Sequence, residues 1–508
     1  MKRLISSNLL NKINVPLLLF LIFFLNVKFV VKIIAIVILT LYYMNFKFGL
    51  SWKKTRLPLF YFLIILIEII KFIFITRNYS TNYMIVFCFG ILQWVISLLA
   101  IHYLKFFIEQ DTTKRIHNTI RCFFLINFSI SLFFLALLIF SPSSLGFWGH
   151  GADISFNHPS AGDTILGITF DTSTINATIN SIGLIYFLYK KDHIFSLICI
   201  LIIALCTSNI TIVFIVITLA LMFLTVRSNK LRFQTLSAVF LLFALYFAIS
   251  PHNRQYVRNY FVQLYILNKN PELATNQAET KDSLAIAKPQ YKVPDSVYAF
   301  DNKKLGKALN NFLINNKNNN SSGVPELVLS DEDFNRRPGK MISFFQTYNY
   351  LKSGKTNLLF GAGVGNFSSK LAFRSSGEEN FGTYPSKFIY TSKVFEKNHL
   401  KTFLYYFNRD ASKHSVLNYP TSIYNQLLGE YGLIGAFLFI IFYIGYFIKR
   451  FGQLTYGKYL IIALLAFFFM EYWFEMYSLI VFFELLMLLN LKENNSSNAS
   501  NSMTPDFT

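Results

Sequence analysis

The 508-residue chain is 54% hydrophobic, carries 57 phenylalanines and is only 14% charged, which excludes an ordinary water-soluble domain and leaves a membrane enzyme, transporter or channel. Its formal charge of +21 does not indicate nucleic acid: Lys and Arg sit at the ends of apolar runs, where they act as topology signals, and no zinc-finger spacing or basic recognition helix accompanies them. The four cysteines, Cys88, Cys122, Cys199 and Cys206, fall inside apolar runs, with spacing that fits neither a disulfide framework nor a zinc site.

In chain order, about 12 apolar segments are long enough to cross roughly 30 Å of hydrocarbon as helices. They cover 10–26, 29–46, 57–75, 83–104, 120–141, 173–189, 193–209, 210–226, 233–250, 426–448, 459–474 and 475–491. The first two are joined so tightly, around Asn26 to Lys28, that they read as either a hairpin or one broken element. No cleavable signal peptide is evident, because the first apolar run lacks a small-residue cleavage site. With a cytoplasmic amino terminus, the inside connections carry Lys47, Lys53, Lys54 and Arg56, then Lys105, Lys114 and Arg115, then Lys190 and Lys191, then Arg227, Lys230 and Arg232, and finally Lys449, Arg450 and Lys458. The short outside connections carry almost none, as the positive-inside rule requires.

The expected division is therefore nine transmembrane helices in 1–250, a large external loop with amphipathic helices in 251–425, three further transmembrane helices in 426–491, and a disordered cytoplasmic tail in 492–508. The loop is periplasmic if the cell is Gram-negative. It holds 23 Lys/Arg against 13 Asp/Glu, and long domains translocate largely regardless of charge, so this basic balance is free to serve ligands. Asn310 to Ser322 is an Asn/Lys/Ser-rich run that reads as a mobile loop, and Asn494 to Ser502 reads as a disordered tail. From Pro338 the pattern changes: Met341, Phe344, Phe345, Tyr348 and Leu351 recur at helical spacing, with Pro338 at the first turn and Gly354 just past the end. This predicts an amphipathic helix that lies on the bilayer or caps the bundle, with Arg336, Arg337 and Lys340 at its start.

Downstream come Gly361, Gly363, Gly365, Asn366 and Phe367, then His414, and then Glu430, Tyr431, Gly432, Leu433, Ile434 and Gly435. With these motifs the chain resembles the O-antigen polymerase and O-antigen ligase superfamily, bacterial membrane glycosyltransferases that take sugar chains from an undecaprenyl diphosphate carrier. The shared features are about 12 spans, one large external loop before the last few, and a basic residue and helix followed by the glycine run and the glutamate motif. Motif-level matching covers roughly residues 337 to 437, with a weaker echo at Thr207, Ser208 and Asn209. The resemblance implies an all-α integral membrane protein, GT-C-like, in the bacterial inner membrane, with both termini cytoplasmic. Its partners would be an undecaprenyl-diphosphate-linked glycan, membrane lipid and a chain-length regulator protein, with no cofactor. Two departures stand out: Thr421 and Ser422 occupy the place of the His-Asn pair usual in the ligases, and Ser208-Asn209 replaces a Ser-Arg pair. Both favour the polymerase branch, which is the more variable in sequence.

The chemistry asks for cations or hydrogen-bond donors on the departing diphosphate, because charge develops there as the glycosidic bond breaks. Arginine suits this, since its planar fork pairs bidentately with phosphate and keeps its proton. The external cations available are Arg254, Arg258, Arg336, Arg337, Lys340 and Arg374. The acceptor hydroxyl needs a general base, for which His414 and Glu430 are the candidates. No dense Asp/Glu cluster has metal-ligand spacing, so a metal-independent reaction is expected. Each residue has a plainer reading: Arg254 and Arg258 as solvated charges at a membrane face, His414 as ordinary surface, Glu430 as a partner for a helix N-terminus, and the glycines as architecture. Glu68 and Lys71 lie one turn apart inside a span and read as satisfying each other, while Glu471 and Glu475 can join Glu430 in an acidic rim. Ser353 to Thr356 imitates the end of a phosphate loop, but Asn349 stands where that motif needs glycine. The alternatives to a polymerase are a ligase, which passes finished glycan to a lipid or protein, and a transporter or flippase; the internal repeats typical of the latter are not evident.

Overall fold

A computed structural model describes residues 12–26, 28–43, 57–140, 165–249, 337–378, 384–407 and 417–501. All regular structure among them is helical, and a helix lies over each of the twelve apolar stretches. The first nine are α1 (Val15–Phe24), α2 (Phe29–Tyr42), α3 (Leu57–Lys71), α4 (Thr81–Gln110), α5 (Thr113–Phe140), α6 (Ser173–Tyr189), α7 (His193–Leu205), α8 (Asn209–Thr225) and α9 (Asn229–Ile249). Among the elements that follow are α10 (Gly339–Lys352), α11 (Lys355–Phe360), α12 (Lys370–Ser375) and α13 (Lys401–Phe407). The last three are α14 (Ile423–Leu438), α15 (Gly457–Phe467) and α16 (Ser478–Asn501). Within this set Leu57–Thr76, Thr81–Gln110, Thr113–Leu137, Asn229–Ile249 and Ile423–Ile448 are long and apolar enough to cross a membrane.

The bundle is organised around α6, which is buried from Ile175 to Leu188 and packs against α7, α8, α15 and α16. A helix enclosed on all sides can carry polar groups only if they find partners. Asn176 does so, accepting from Asn127 Nδ2 at 3.0 Å and donating to Ser131 Oγ at 3.1 Å and to the Ile165 carbonyl at 3.0 Å. The peripheral helices do the reverse and turn large apolar side chains outward, among them Val30, Ile194, Leu224, Phe240 and Phe437. In water such a surface would associate; around a bilayer it is the lipid-facing side. The described residues are thus those of an all-helical, membrane-embedded bundle.

Helix α10 forms where the sequence places it, with Pro338 as N-cap and Ser353 closing it. Its orientation follows from hydrogen bonding. Ser343 Oγ accepts from Asn425 Nδ2 at 2.8 Å, Thr347 Oγ1 donates to Asn425 Oδ1 at 3.0 Å, and Gln346 Oε1 accepts from Thr402 at 3.1 Å. The polar side of α10 therefore faces α14 and α13, while Met341, Phe345 and Tyr348 point away, 52%, 42% and 59% exposed. Phe344 and Leu351 turn inward, Phe344 stacking on Phe469 at 5.8 Å.

One difference from the sequence reading concerns the chain's carboxyl end. The stretch from Asn494, read as disordered, continues α16 as helix to Asn501, because a helix already nucleated in a packed bundle extends with one hydrogen bond for each residue added. The low-complexity run 310–322 lies outside the described residues.

Gly432 sits inside α14 at φ +67°, a conformation that interrupts the helical ladder. A Cβ there would lie 2.4 Å from the Leu359 carbonyl oxygen and 2.6 Å from Gly361 N, so two main chains touch at this point. Gly432→Ala is expected to cost at least about 2 kcal/mol, from the left-handed conformation and the backbone clash together. Thermal unfolding of the detergent-purified protein checks this against Gly452→Ala, where an added Cβ meets nothing within 4 Å. Equal melting temperatures for the two variants would contradict the assignment.

Candidate functional site

The glycine run and the glutamate motif form one structural unit. Gly361 lies at φ +66° with its Cα against the Glu430 carbonyl, and the loop that follows runs along α14. Ala362 N–H donates to the Gly429 carbonyl at 2.8 Å and Gly363 N–H to the Glu430 carbonyl at 2.9 Å. These carbonyls lie just before the interruption at Gly432, so the loop supplies donors at the kink.

Three carboxylates from three parts of the bundle, Glu68 and Glu430 fully buried and Glu475 partly so, then hold the loop by its main chain. Glu68 of α3 accepts from Val364 N–H at 3.2 Å. Glu430 of α14 accepts from Ser369 Oγ at 2.6 Å and from Phe367 N–H at 3.4 Å, both on Oε1. Glu475, in the short turn before α16, accepts from Leu371 N–H at 3.0 Å and from Gln426 Nε2 at 2.9 Å. Lys71 completes the set: its Nζ is 3.7 Å from Glu68 Oε1, donates to the Glu430 carbonyl at 2.7 Å and also reaches the Phe360 carbonyl. The Glu68–Lys71 pair read from the sequence is present, and its larger role is to bolt residues 360–371 to α3.

Asn366 is fixed separately. Its side chain donates to Tyr83 OH at 2.8 Å and accepts from Tyr390 OH at 2.7 Å. Phe367 is buried between Tyr350, at 4.8 Å, and the ring of His399, at 4.5 Å. His399 was not singled out by sequence, yet it is fully buried, both ring nitrogens lack a hydrogen-bond partner among the described residues, and it sits in a π-helical turn, Glu396–Leu400. Such turns recur at functional sites. The signal in the sequence was only one histidine in an ordinary polar stretch. Burial pushes its imidazole down to about 3.

The cations fall into separate places. Arg337 is exposed at the start of α10, with its guanidinium 5.5 Å over the Phe345 ring and its carbonyl accepting from Tyr406 OH at 2.6 Å. Lys340, one turn on, points inward and is 1% exposed. Its Nζ reaches the Thr421 carbonyl, Thr421 Oγ1 at 3.3 Å and the Met470 carbonyl at 2.9 Å, and burial lowers its pKa to about 7. Arg374 is half-buried in the last turn of α12. Arg254, Arg258, Arg336 and His414 lie outside the described residues. Thr421 and Ser422 have structural work: Thr421 donates to the Met470 carbonyl at 2.8 Å, and Ser422 caps α14 while donating to the Phe468 carbonyl at 3.2 Å. Glu471 is within electrostatic reach of Lys340, Lys370 and Asp171, and Lys370 pairs with Asp171 at 3.4 Å. This ties the loop to the segment before α6.

Chemically, Glu430 is committed through one oxygen and open through the other: Oε2 is buried and has no partner among the described residues. A hydroxyl or a proton is the group it lacks. No group of three or more His, Cys, Asp and Glu with metal-holding geometry is present among the described residues.

Two measurements test this construction. Lys71→Met leaves Glu68 buried without its counter-charge and is expected to cost about 3–5 kcal/mol, with the double variant Glu68→Gln/Lys71→Met recovering part of the loss in thermal unfolding. A double variant no more stable than the single one would remove the pair from the clamp. For His399, the native pKa of about 3 lies below the ordinary 6.5, so the unfolded chain binds the extra proton between those values. The resulting stability is complete above pH 6.5 and is lost as pH falls toward 3. His399→Phe should therefore melt higher relative to the parent at acid pH than at neutral pH; an identical difference at both would show that the imidazole does not titrate in this way.

No family model matches this chain, and no curated protein and no solved structure matches it.

Proposed function

We propose that this protein is a polysaccharide polymerase of the bacterial inner membrane that joins undecaprenyl-diphosphate-linked repeat units at the outer face. In this reading the apolar stretches supply about 12 spans and residues 251–425 lie outside, in keeping with the positive-inside pattern of the connections. The observation that carries the reading is the arrangement of α10. An exposed arginine, Arg337, stands at the head of a helix whose outward stripe, Met341, Phe345 and Tyr348, is apolar. That juxtaposition suits an amphiphile with a diphosphate head and a polyprenyl tail.

The reaction breaks the bond between the donor sugar's anomeric carbon and the diphosphate oxygen and forms one to an acceptor hydroxyl oxygen. The electron pair leaves with the diphosphate, which Arg337, with the external cations Arg336 and Arg374, stabilises. The hydroxyl proton goes to a base, Glu430 through its free Oε2 or His414. Lys340 is best assigned to holding Thr421 and Met470 together, since all its polar contacts are internal. Replacement of the ligase-type His-Asn pair by Thr421 and Ser422, both engaged in internal hydrogen bonds, supports polymerase over ligase.

Arg337→Ala is expected to leave membrane insertion unchanged and lower chain elongation about a hundredfold or more, the scale of losing one charge-stabilising donor. Arg337→Lys should retain part of the activity, having charge without the fork. The readout is the surface-polysaccharide gel of a deletion strain carrying each variant. A ladder reduced to one repeat unit in the deletion strain supports the polymerase, loss of all attached repeats supports a ligase, and an intact ladder contradicts both.

A further inference from the structure

At the opposite end of α6 from the loop, the length of that helix or about 25 Å away, α7 and α9 run side by side with a groove of about 510 Å³ between them. Its walls are apolar, formed by Leu197, Ile200, Phe233 and Leu241, with Ala238 at the floor. Its titratable and amide groups gather at one end, His193 in the first turn of α7 and Lys230 and Gln234 in the first turns of α9, while the small hydroxyls of Ser196 and Ser237 lie further along. From that end the groove follows α7 for eight residues, His193 to Ile200, and α9 for twelve, Lys230 to Leu241, about 10–16 Å of helix. This takes it from the bilayer interface well into the hydrocarbon.

The charge at this end is one-sided. Its acids are already engaged: Asp192 with Arg121 at 2.5 Å, and Glu493 with Lys190 at 2.6 Å. Lys191, Arg227 and Lys230 are exposed and have no acidic partner among the described residues. Between the helices, His193 Nε2 lies 3.4 Å from the Gln234 amide, and Gln234 Oε1 is a buried acceptor without a donor among the described residues. Cations at the mouth call for a phosphate, the orphan acceptor calls for a hydroxyl beside it, and the apolar walls call for an acyl chain. We propose that this groove binds an anionic glycerophospholipid with a hydroxyl-bearing headgroup, the phosphate on Lys230 and His193, a headgroup hydroxyl on Gln234 and one acyl chain along α7 and α9. The site is separate from the proposed reaction centre and does not rest on that reading.

The test uses the full chain, purified and placed in lipid nanodiscs, and measures retention and thermal stabilisation by native mass spectrometry and melting. Phosphatidylglycerol should be retained in preference to phosphatidylcholine and to phosphatidate. Lys230→Glu should weaken phosphatidylglycerol binding by about fivefold or more, the factor expected of one lysine near an anionic surface. Lys114→Glu, an exposed cation outside the groove, should not. Ser237→Trp, which fills the groove without changing charge, should also displace the lipid, so the inference stays testable if Lys230→Glu does not fold. Gln234→Leu should abolish the preference over phosphatidate alone. Equal retention of phosphatidylglycerol and phosphatidylcholine, equal effects of Lys230→Glu and Lys114→Glu, or preferential retention of an added polyprenyl phosphate would each overturn the assignment.

Discussion

The structure depends on main-chain N–H groups of one loop donating to carboxylates that a helical bundle encloses, two of them fully and one partly. Val364, Phe367 and Leu371 give their N–H groups to Glu68, Glu430 and Glu475 in turn. Carboxylates enclosed in an apolar bundle are costly unless they are hydrogen-bonded and paired, and the loop's own donors are costly if left without acceptors. Each set answers the other, with Lys71 as the counter-charge. The loop is therefore a structural part of the bundle, and the glycines serve it by letting its backbone lie directly on α14.

With the loop held, the elements around it take their positions. α10 is applied to α14 by its polar side, through Ser343, Thr347 and Asn425, and this leaves its apolar stripe facing out next to Arg337. Lys340 and Thr421 tie the start of α14 to the segment that leads into α16. The proposed function builds on this frame: a rigid scaffold that holds one carboxylate oxygen open, beside a helix whose outer side suits an amphiphilic donor.

Much of the frame was legible in the sequence. The apolar stretches are long and bounded by Lys, Arg and Pro, and a helix lies over each; the bounds of α10 follow from Pro338 and Gly354 for the same reason. What periodicity does not reveal is which face turns inward when both are chemically mixed. Met341, Phe345 and Tyr348 read in one dimension as a stripe for either the bilayer or the bundle, and only the partners waiting on Asn425 and Thr402 turn them out. Lys340 reads as an exposed cation because its acceptors, the carbonyls of Thr421 and Met470, are 81 and 130 residues away. Lys71 was legible as a partner for Glu68, but its contact with Glu430 spans 359 residues and has no local signature. His399 was missed because a histidine's lack of partners is visible only in three dimensions.

The most direct test of the account is reconstitution of the purified protein in liposomes with an undecaprenyl-diphosphate-linked repeat unit. The account predicts products of two or more repeats on the carrier, with one undecaprenyl diphosphate released for each linkage formed. A protein that is folded and correctly inserted but leaves the glycolipid unconsumed would contradict it.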